Sequence, residues 1–203
     1  LGEQCFAVSG TPTDCVLLAV KALLPQDKPV DLLVSGINHG DNMAEHVTYS
    51  GTIAATMEGA LLGIPSIAFS RFMHDEALLG WETARMAVAK TLRSLRGYRW
   101  PKRTLLSVNI PDCEVTELGE VRAAEQGIRR GCDAVEMRID PRGRHYYWIG
   151  NTDYSDCTHE ATTDCAMVQQ NHIAVTPISL NLTDYATLEA IYTHLSRSRH
   201  VAA

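Results

Sequence analysis

The sequence predicts an α/β fold, a mainly parallel sheet flanked by helices, with a β-hairpin extension and a C-terminal helix. Three observations carry this expectation. Short apolar runs alternate with longer helical stretches from the start to about Pro111, the pattern of strands linked by crossover helices. An apolar run at 30–35 passes into a loop of small neutral residues and then into a helix start, the way an open α/β sheet builds an anion site beyond its strand ends. Beyond Pro111 short strand-like runs dominate and flank a turn-rich connection.

The elements follow in order. Cys5, Phe6, Ala7 and Val8 form a strand-like run. Thr11-Pro12-Thr13-Asp14 reads as a capping box, with Thr11 as N-cap, Pro12 first in the helix and Asp14 as the N3 carboxylate. The helix continues through Val16, Leu17, Val20, Leu23 and Leu24 and stops before Pro25. Residues 30–35 are a central strand, and 52–62 a helix whose Ala54, Ala55, Gly59 and Ala60 permit close packing on the sheet. Gly63 suits the position after its end, with Pro65 following. A strand at 64–70, a long helix at 77–95 and a strand at 105–110 complete the first part. Strands are expected at 121–124, 134–139 and 145–149, the last two forming a protruding hairpin over 134–149 around Asp140-Pro141-Arg142-Gly143-Arg144. Residues 151–163 read as a polar loop, 172–178 as a strand, and an amphipathic helix starts at Thr183 and runs through Leu188, Ile191 and Leu195. No repeat, low-complexity tract or Gly/Ser linker divides the 203 residues, so one domain over 1–203 is expected.

Composition limits the function classes. Hydrophobic residues at 45% and charged ones at 21% suit a globular protein. A net charge of −6 argues against a nucleic-acid polymer as partner, because that binding is driven by Lys and Arg on phosphates. No apolar run is long enough to span a bilayer, and no secretory signal opens the chain, which leads to a cytoplasmic expectation. The six cysteines form no Cys-x-x-Cys pair and read as reduced thiols, with Cys5 and Cys15 in the core. There is no Gly-x-Gly-x-x-Gly after a strand, no Walker lysine motif and no Gly-x-Ser-x-Gly, which counts against dinucleotide oxidoreductases, NTPases and α/β-hydrolases.

The chemistry concentrates between Ser35 and Glu58. Ser50, Gly51 and Thr52 stand where a helix begins, so the Ser50 hydroxyl and the N–H groups of Gly51 and Thr52 can face a phosphate oxygen. Ser50 can equally be a helix cap and nothing more. Asn38 offers a neutral oxygen that suits Mg²⁺ or Mn²⁺, or else stabilises its own turn. Asp41 and Glu45 read as solvated loop charges, and His39 and His46 as surface histidines. Asp153, Asp156, His159 and Asp164 form a polar cluster best read as a solvated turn. Tyr146, Tyr147 and Trp148 could stack a base but suit hairpin packing better.

Ser-Gly-Ile-Asn-x-Gly-x-Asn at 35–42, followed by Tyr-Ser-Gly-Thr at 49–52, resembles the motif of the survival protein SurE family of metal-dependent nucleotidases and acid phosphatases. Gly10-Thr11-Pro12-Thr13-Asp14-Cys15 is similar to a second family motif. The segment from Asp140 to Gly150, then Thr176-Pro177 and Leu182-Thr183-Asp184, continue the likeness in order. The resemblance implies a Rossmann-like sheet and hydrolysis of nucleoside 5′- or 3′-monophosphates with a divalent cation, Mg²⁺ or Mn²⁺. It implies Asn38 as metal ligand, Ser50 as phosphate ligand with Gly51 and Thr52, and Asn42 as a second phosphate contact. It also implies a homodimer or homotetramer built through the hairpin and the C-terminal segment. The family's Asn-Asp-Asp-Gly loop, which carries the metal-binding aspartates, and its first strand–helix units are expected upstream of Leu1 and are not found in residues 1–203. That gives an alternative expectation, a non-catalytic phosphate-binding or oligomerisation protein. It also leaves the attacking group unassigned.

Overall fold

The computed structural model describes residues 5–25, 27–73, 81–128, 135–149 and 160–201. A five-stranded sheet has the order β1 (Leu33–His39), β2 (Ser66–Arg71), β3 (Thr104–Ile110), β7 (Ile173–Ser179), β4 (Val121–Ala123). The β1/β2, β2/β3 and β4/β7 pairs are parallel and β3/β7 is antiparallel. The sheet is therefore mainly parallel, and the expected α/β fold holds. β5 (Val135–Ile139) and β6 (His145–Ile149) form a separate antiparallel pair.

The helices take opposite faces. α2 (Gly51–Leu61) lies on the face carrying Ala68 and Leu105, where its Ile53 and Ala60 join Val47 and Ile178 in one buried cluster. α3 (Glu82–Ser94) lies on the other face, where Ala84 and Ala87 pack on Ile67, Phe69, Leu106, Val108 and Ile110. Strand residues of opposite parity thus feed two cores, as a sheet buried on both sides requires. α1 (Pro12–Leu18) begins with the expected box: Thr11 Oγ1 accepts from the Asp14 N–H, and the Thr11 N–H donates 2.8 Å to Asp14 Oδ2. It runs on as a π-helical turn, Ala19–Leu23, and ends at Leu24 before Pro25.

Several expectations need correction. No strand forms at residues 5–8 and Cys5 there is exposed; Cys15 is exposed too, on an α1 that buries none of its residues. Cys113 and Cys165 are the buried thiols among those described. β1 does not stop at Ser35. A register irregularity between Ser35 and Asn38 lets pairing with β2 resume at Asn38 and His39. Gly36, at φ 109°, makes this possible; a Cβ there would run into the Phe69 carbonyl oxygen. The polar run before residue 172 also hides a short helix, α4 (Asp164–Gln169), capped by Thr163. α5 (Tyr185–Val201) starts just after Asp184, whose Oδ1 accepts the Thr187 N–H at 2.8 Å. The start of the expected helix at 77–80, and Asp153, Asp156 and His159, lie outside the described residues.

β1 forms the margin of the sheet, with no strand on its outer side among the described residues, and Val34 there is 49% exposed. In the separate hairpin every residue of β5 and β6 is exposed. Leu182, Tyr185, Ile191, Tyr192 and Leu195 on and before α5 are exposed as well.

Candidate functional site at the carboxyl ends of the strands

Parallel register sets Asn38 on β1 level with Ser70 on β2, and Ser70 level with Asn109 on β3. Ser70 has the parity of Ala68, and Asn109 that of Leu105, so the row faces α2. Three polar side chains thus cross the strand tips on that face, where helix N-termini and strand ends create an anion crevice.

Asn42 closes onto this row. Its backbone N–H donates 2.9 Å to Asn109 Oδ1, and Asn109 Nδ2 returns a bond to the Asn42 carbonyl. The Asn42 Nδ2 donates 2.6 Å to Ser70 Oγ. Asn42, Ser70 and Asn109 are all buried, so this is a rigid knot rather than a surface loop. It joins two of the residues singled out in the sequence: Asn38 lies beside Ser70, and Asn42 is bonded to it. Asn38 is partly buried and its Nδ2 donates 3.0 Å to the Gly40 carbonyl, a bond that uses the amide nitrogen and not Oδ1. The turn-bracing reading of Asn38 is thus observed, and its Oδ1 is the atom that a cation would use.

Ser50 is the N-cap of α2, its Oγ accepting the Ile53 N–H at 3.1 Å. Its hydroxyl proton stays available to a ligand oxygen, and the N–H groups of Gly51 and Thr52 belong to the first turn, which has no carbonyl partner upstream. Gly51 has a structural use as well. A Cβ there would stand 3.1 Å from Pro12 Cγ, so the N-terminus of α1 abuts that of α2.

The sequence missed four features. Ser70 and Asn109 end apolar strands, a legible signal of polar groups at a sheet edge. Asp164, read as a solvated turn, is 1% exposed. Its Oδ2 accepts the Ala44 N–H at 2.9 Å, and its Oδ1 accepts the Gly127 and Cys165 N–H groups at 2.9 and 2.8 Å. Burial pushes its pKa above the ordinary carboxylate value, and these three bonds pull the other way. Asp41 is not a freely solvated charge: its Oδ1 accepts the Met43 N–H at 3.2 Å and stands 3.4 Å from Nδ1 of His46, and the two side chains are only 10% and 22% exposed. The fourth is a cluster around Trp81 on the α3 face. There the Arg71 guanidinium lies 5.5 Å over the indole and 3.6 Å from Asp112, and the His39 ring is 6.0 Å away.

With this geometry in place, the comparisons with known proteins are specific. The profile of the survival protein SurE family matches residues 1–133. The 5′-nucleotidase SurE of Pelobacter propionicus is 43% identical over 193 residues, covering 95% of this chain and 76% of that protein. The chain belongs to the survival protein SurE family. The 5′-nucleotidase SurE of Rhodospirillum rubrum is 42% identical over 94% of this chain and 73% of its own length. The crystal structure of the SurE protein from Aquifex aeolicus superposes with a TM-score of 0.74 at 36% identity, over 90% of this chain and 72% of that one. Asn38, Asn42 and Ser50 of this SurE-family chain thus sit on an α/β scaffold shared with a solved relative.

A divalent cation needs more than the described residues offer. Mg²⁺ is held through one or two carboxylates and bound waters, and among the described residues no three His, Cys, Asp or Glu side chains cluster to hold a metal. Asn38 Oδ1 would supply one neutral ligand at most. The described residues therefore do not by themselves form a complete cation site.

Proposed function

We propose that this protein is a SurE-type phosphomonoesterase that hydrolyses nucleoside monophosphates to nucleoside and phosphate. One observation carries the reading most: a capped helix N-terminus, Ser50-Gly51-Thr52, on the same sheet face as the Asn38–Ser70–Asn109 row and the Asn42 that is bonded into it. A phosphate monoester brings about two negative charges near neutral pH. The first-turn N–H groups and the Ser50 O–H are donors held in place before the ligand arrives, which is what lets them favour charge that develops during reaction. The remaining N–H of the Asn42 carboxamide is a further donor. That two relatives more than 40% identical are named 5′-nucleotidases favours catalysis over a purely binding role. The net charge of −6 keeps the substrate to a small phosphate ester.

The proposal includes dependence on Mg²⁺ or Mn²⁺, with Asn38 as one ligand; when bound, such a cation neutralises phosphoryl oxygens. It further includes assembly into a homodimer or homotetramer through the exposed hairpin and α5, and a cytoplasmic location. The test is hydrolysis of a nucleoside 5′-monophosphate and of a chromogenic phosphate ester, with cation added and then chelated. Turnover that appears with cation and stops on chelation is expected. Turnover indifferent to chelator would overturn the cation dependence, and none under any condition would overturn the activity. Ser50→Gly separates capping from binding. Glycine caps nearly as well as serine, so thermal stability should change little while KM rises about tenfold.

A further inference from the structure

The residue after Asn38 belongs to a second surface. Alternation along β1 turns His39 to the face that α3 covers, level with Arg71 at the end of β2. Trp81, at the N-cap of α3, stands over the same strand tips. The Arg71 guanidinium lies 5.5 Å from the centre of the Trp81 ring. It is 5% exposed and is ion-paired at 3.6 Å with Asp112, just beyond the end of β3. The His39 ring is 6.0 Å from that of Trp81, tilted by 40°. His39 is exposed, and Trp81 is 47% exposed.

The strand tips therefore carry two different chemistries. The α2 side has amides and hydroxyls. The α3 side has an indole, an imidazole and a guanidinium. Asp112 balances the Arg71 charge, so the α3 side is not built first as an anion clamp. What the buried cation does is hold the indole: a cation over an aromatic face fixes the ring while nearly half of Trp81 stays open to solvent. A large flat π surface already fixed in orientation loses little freedom when another flat ring lies against it. Stacking of this kind accepts any nucleobase, because every base has a π face.

We propose that Trp81, braced by Arg71 and flanked by His39, is a base-stacking subsite. The purine or pyrimidine of a nucleoside monophosphate lies on the α3 side of the mouth while its phosphate is held on the α2 side; the phosphate half of this arrangement rests on the phosphomonoesterase reading. The subsite selects nucleotides over phosphate esters without an aromatic ring, with weak preference among bases.

The experiment compares equilibrium binding of AMP and of ribose 5-phosphate, which differ by the base, to the intact protein and to Trp81→Leu and Trp81→Phe. In the wild type AMP should bind about tenfold more tightly than ribose 5-phosphate. That ratio should fall close to one in Trp81→Leu and be largely kept in Trp81→Phe, which restores a ring. AMP should quench tryptophan fluorescence in the wild type, and Trp81→Phe should lose that quenching while keeping the ratio. Equal wild-type affinities, or a ratio unchanged in a folded Trp81→Leu, would overturn the subsite. Retained discrimination without turnover would support the subsite while sinking the phosphomonoesterase reading, so the two failures look different.

Discussion

Asp164 shows how one carboxylate can fix a loop that is 120 residues away in sequence. Its bond to the Ala44 N–H holds a residue at φ 49°, two positions after Asn42, in a region that alanine rarely enters. Asp164→Ala would strand three buried N–H groups and should lower stability by about 3–5 kcal/mol. Asp164→Asn keeps the shape but sets an NH₂ against at least one N–H donor, for a loss of about 2 kcal/mol. The pH dependence has a definite sign. Since burial raises the folded-state pKa above 3.8, the stabilising contribution of protonation is fully present below the unfolded value and is lost as pH rises through the folded one. Asparagine has no such titration. The stability gap between wild type and Asp164→Asn should therefore narrow from pH 4 towards pH 8 in urea unfolding, and a gap that widens would contradict the burial. Nothing near residue 164 in the sequence signals this role, because the partners Ala44 and Gly127 are distant and donate through their backbones. The thiols give a second residue-scale check. Burial, then Glu117, Asp112 and Glu114, push Cys113 up to about 11. Maleimide labelling at pH 8 with peptide mapping should modify Cys5 and Cys15 and spare Cys113 and Cys165 until the protein is unfolded. Labelling of Cys113 as fast as Cys15 would refute its placement.

Elements with local signals were legible, and those set by pairing were not. The Thr11–Asp14 box, the Ser50 cap and the stop at Gly63, which has φ 80°, were readable because capping chemistry is encoded within a few residues. β6 was placed to the residue, since its aromatic run is bounded by turn residues. β1 was misjudged at its end because Gly36, Asn38 and His39 are poor strand formers, yet pairing with β2 carries the strand through them. That error matters for the site. Asn38 is held by a sheet rather than by a loop, which makes its orientation more exact than the sequence suggested. α4 escaped notice because it has six residues and follows a polar stretch. The motif residues were found from the sequence, whereas the Ser70–Asn109 knot that ties Asn42 down depends on which strands are neighbours. Gly36→Ala tests the irregular end of β1. The added Cβ would press on the Phe69 carbonyl oxygen at a φ that alanine resists, so a loss of about 2 kcal/mol or more is expected in thermal unfolding.

The molecule as a whole is unevenly covered. Three buried clusters fill the space between sheet and helices, yet the hairpin displays Val135, Met137, Ile139, Tyr147, Trp148 and Ile149 to solvent. An isolated two-stranded hairpin is marginal in water, so burial against a second copy is the expected resolution. Sedimentation at micromolar concentration should report a dimer or tetramer, and Ile149→Asp should shift it toward the monomer while far-UV circular dichroism stays unchanged. A wild-type monomer would refute the assembly. The margin of the main sheet, along β1, has another consequence. Among the described residues no strand pairs with its outward N–H and C=O groups, and groups of this kind pair with extended backbone. Because Asn38 lies near the end of that strand, level with Ser70, backbone pairing along the outer side of β1 would settle Asn38 from the flank opposite Ser70 and so link the sheet margin to the polar row without entering the crevice.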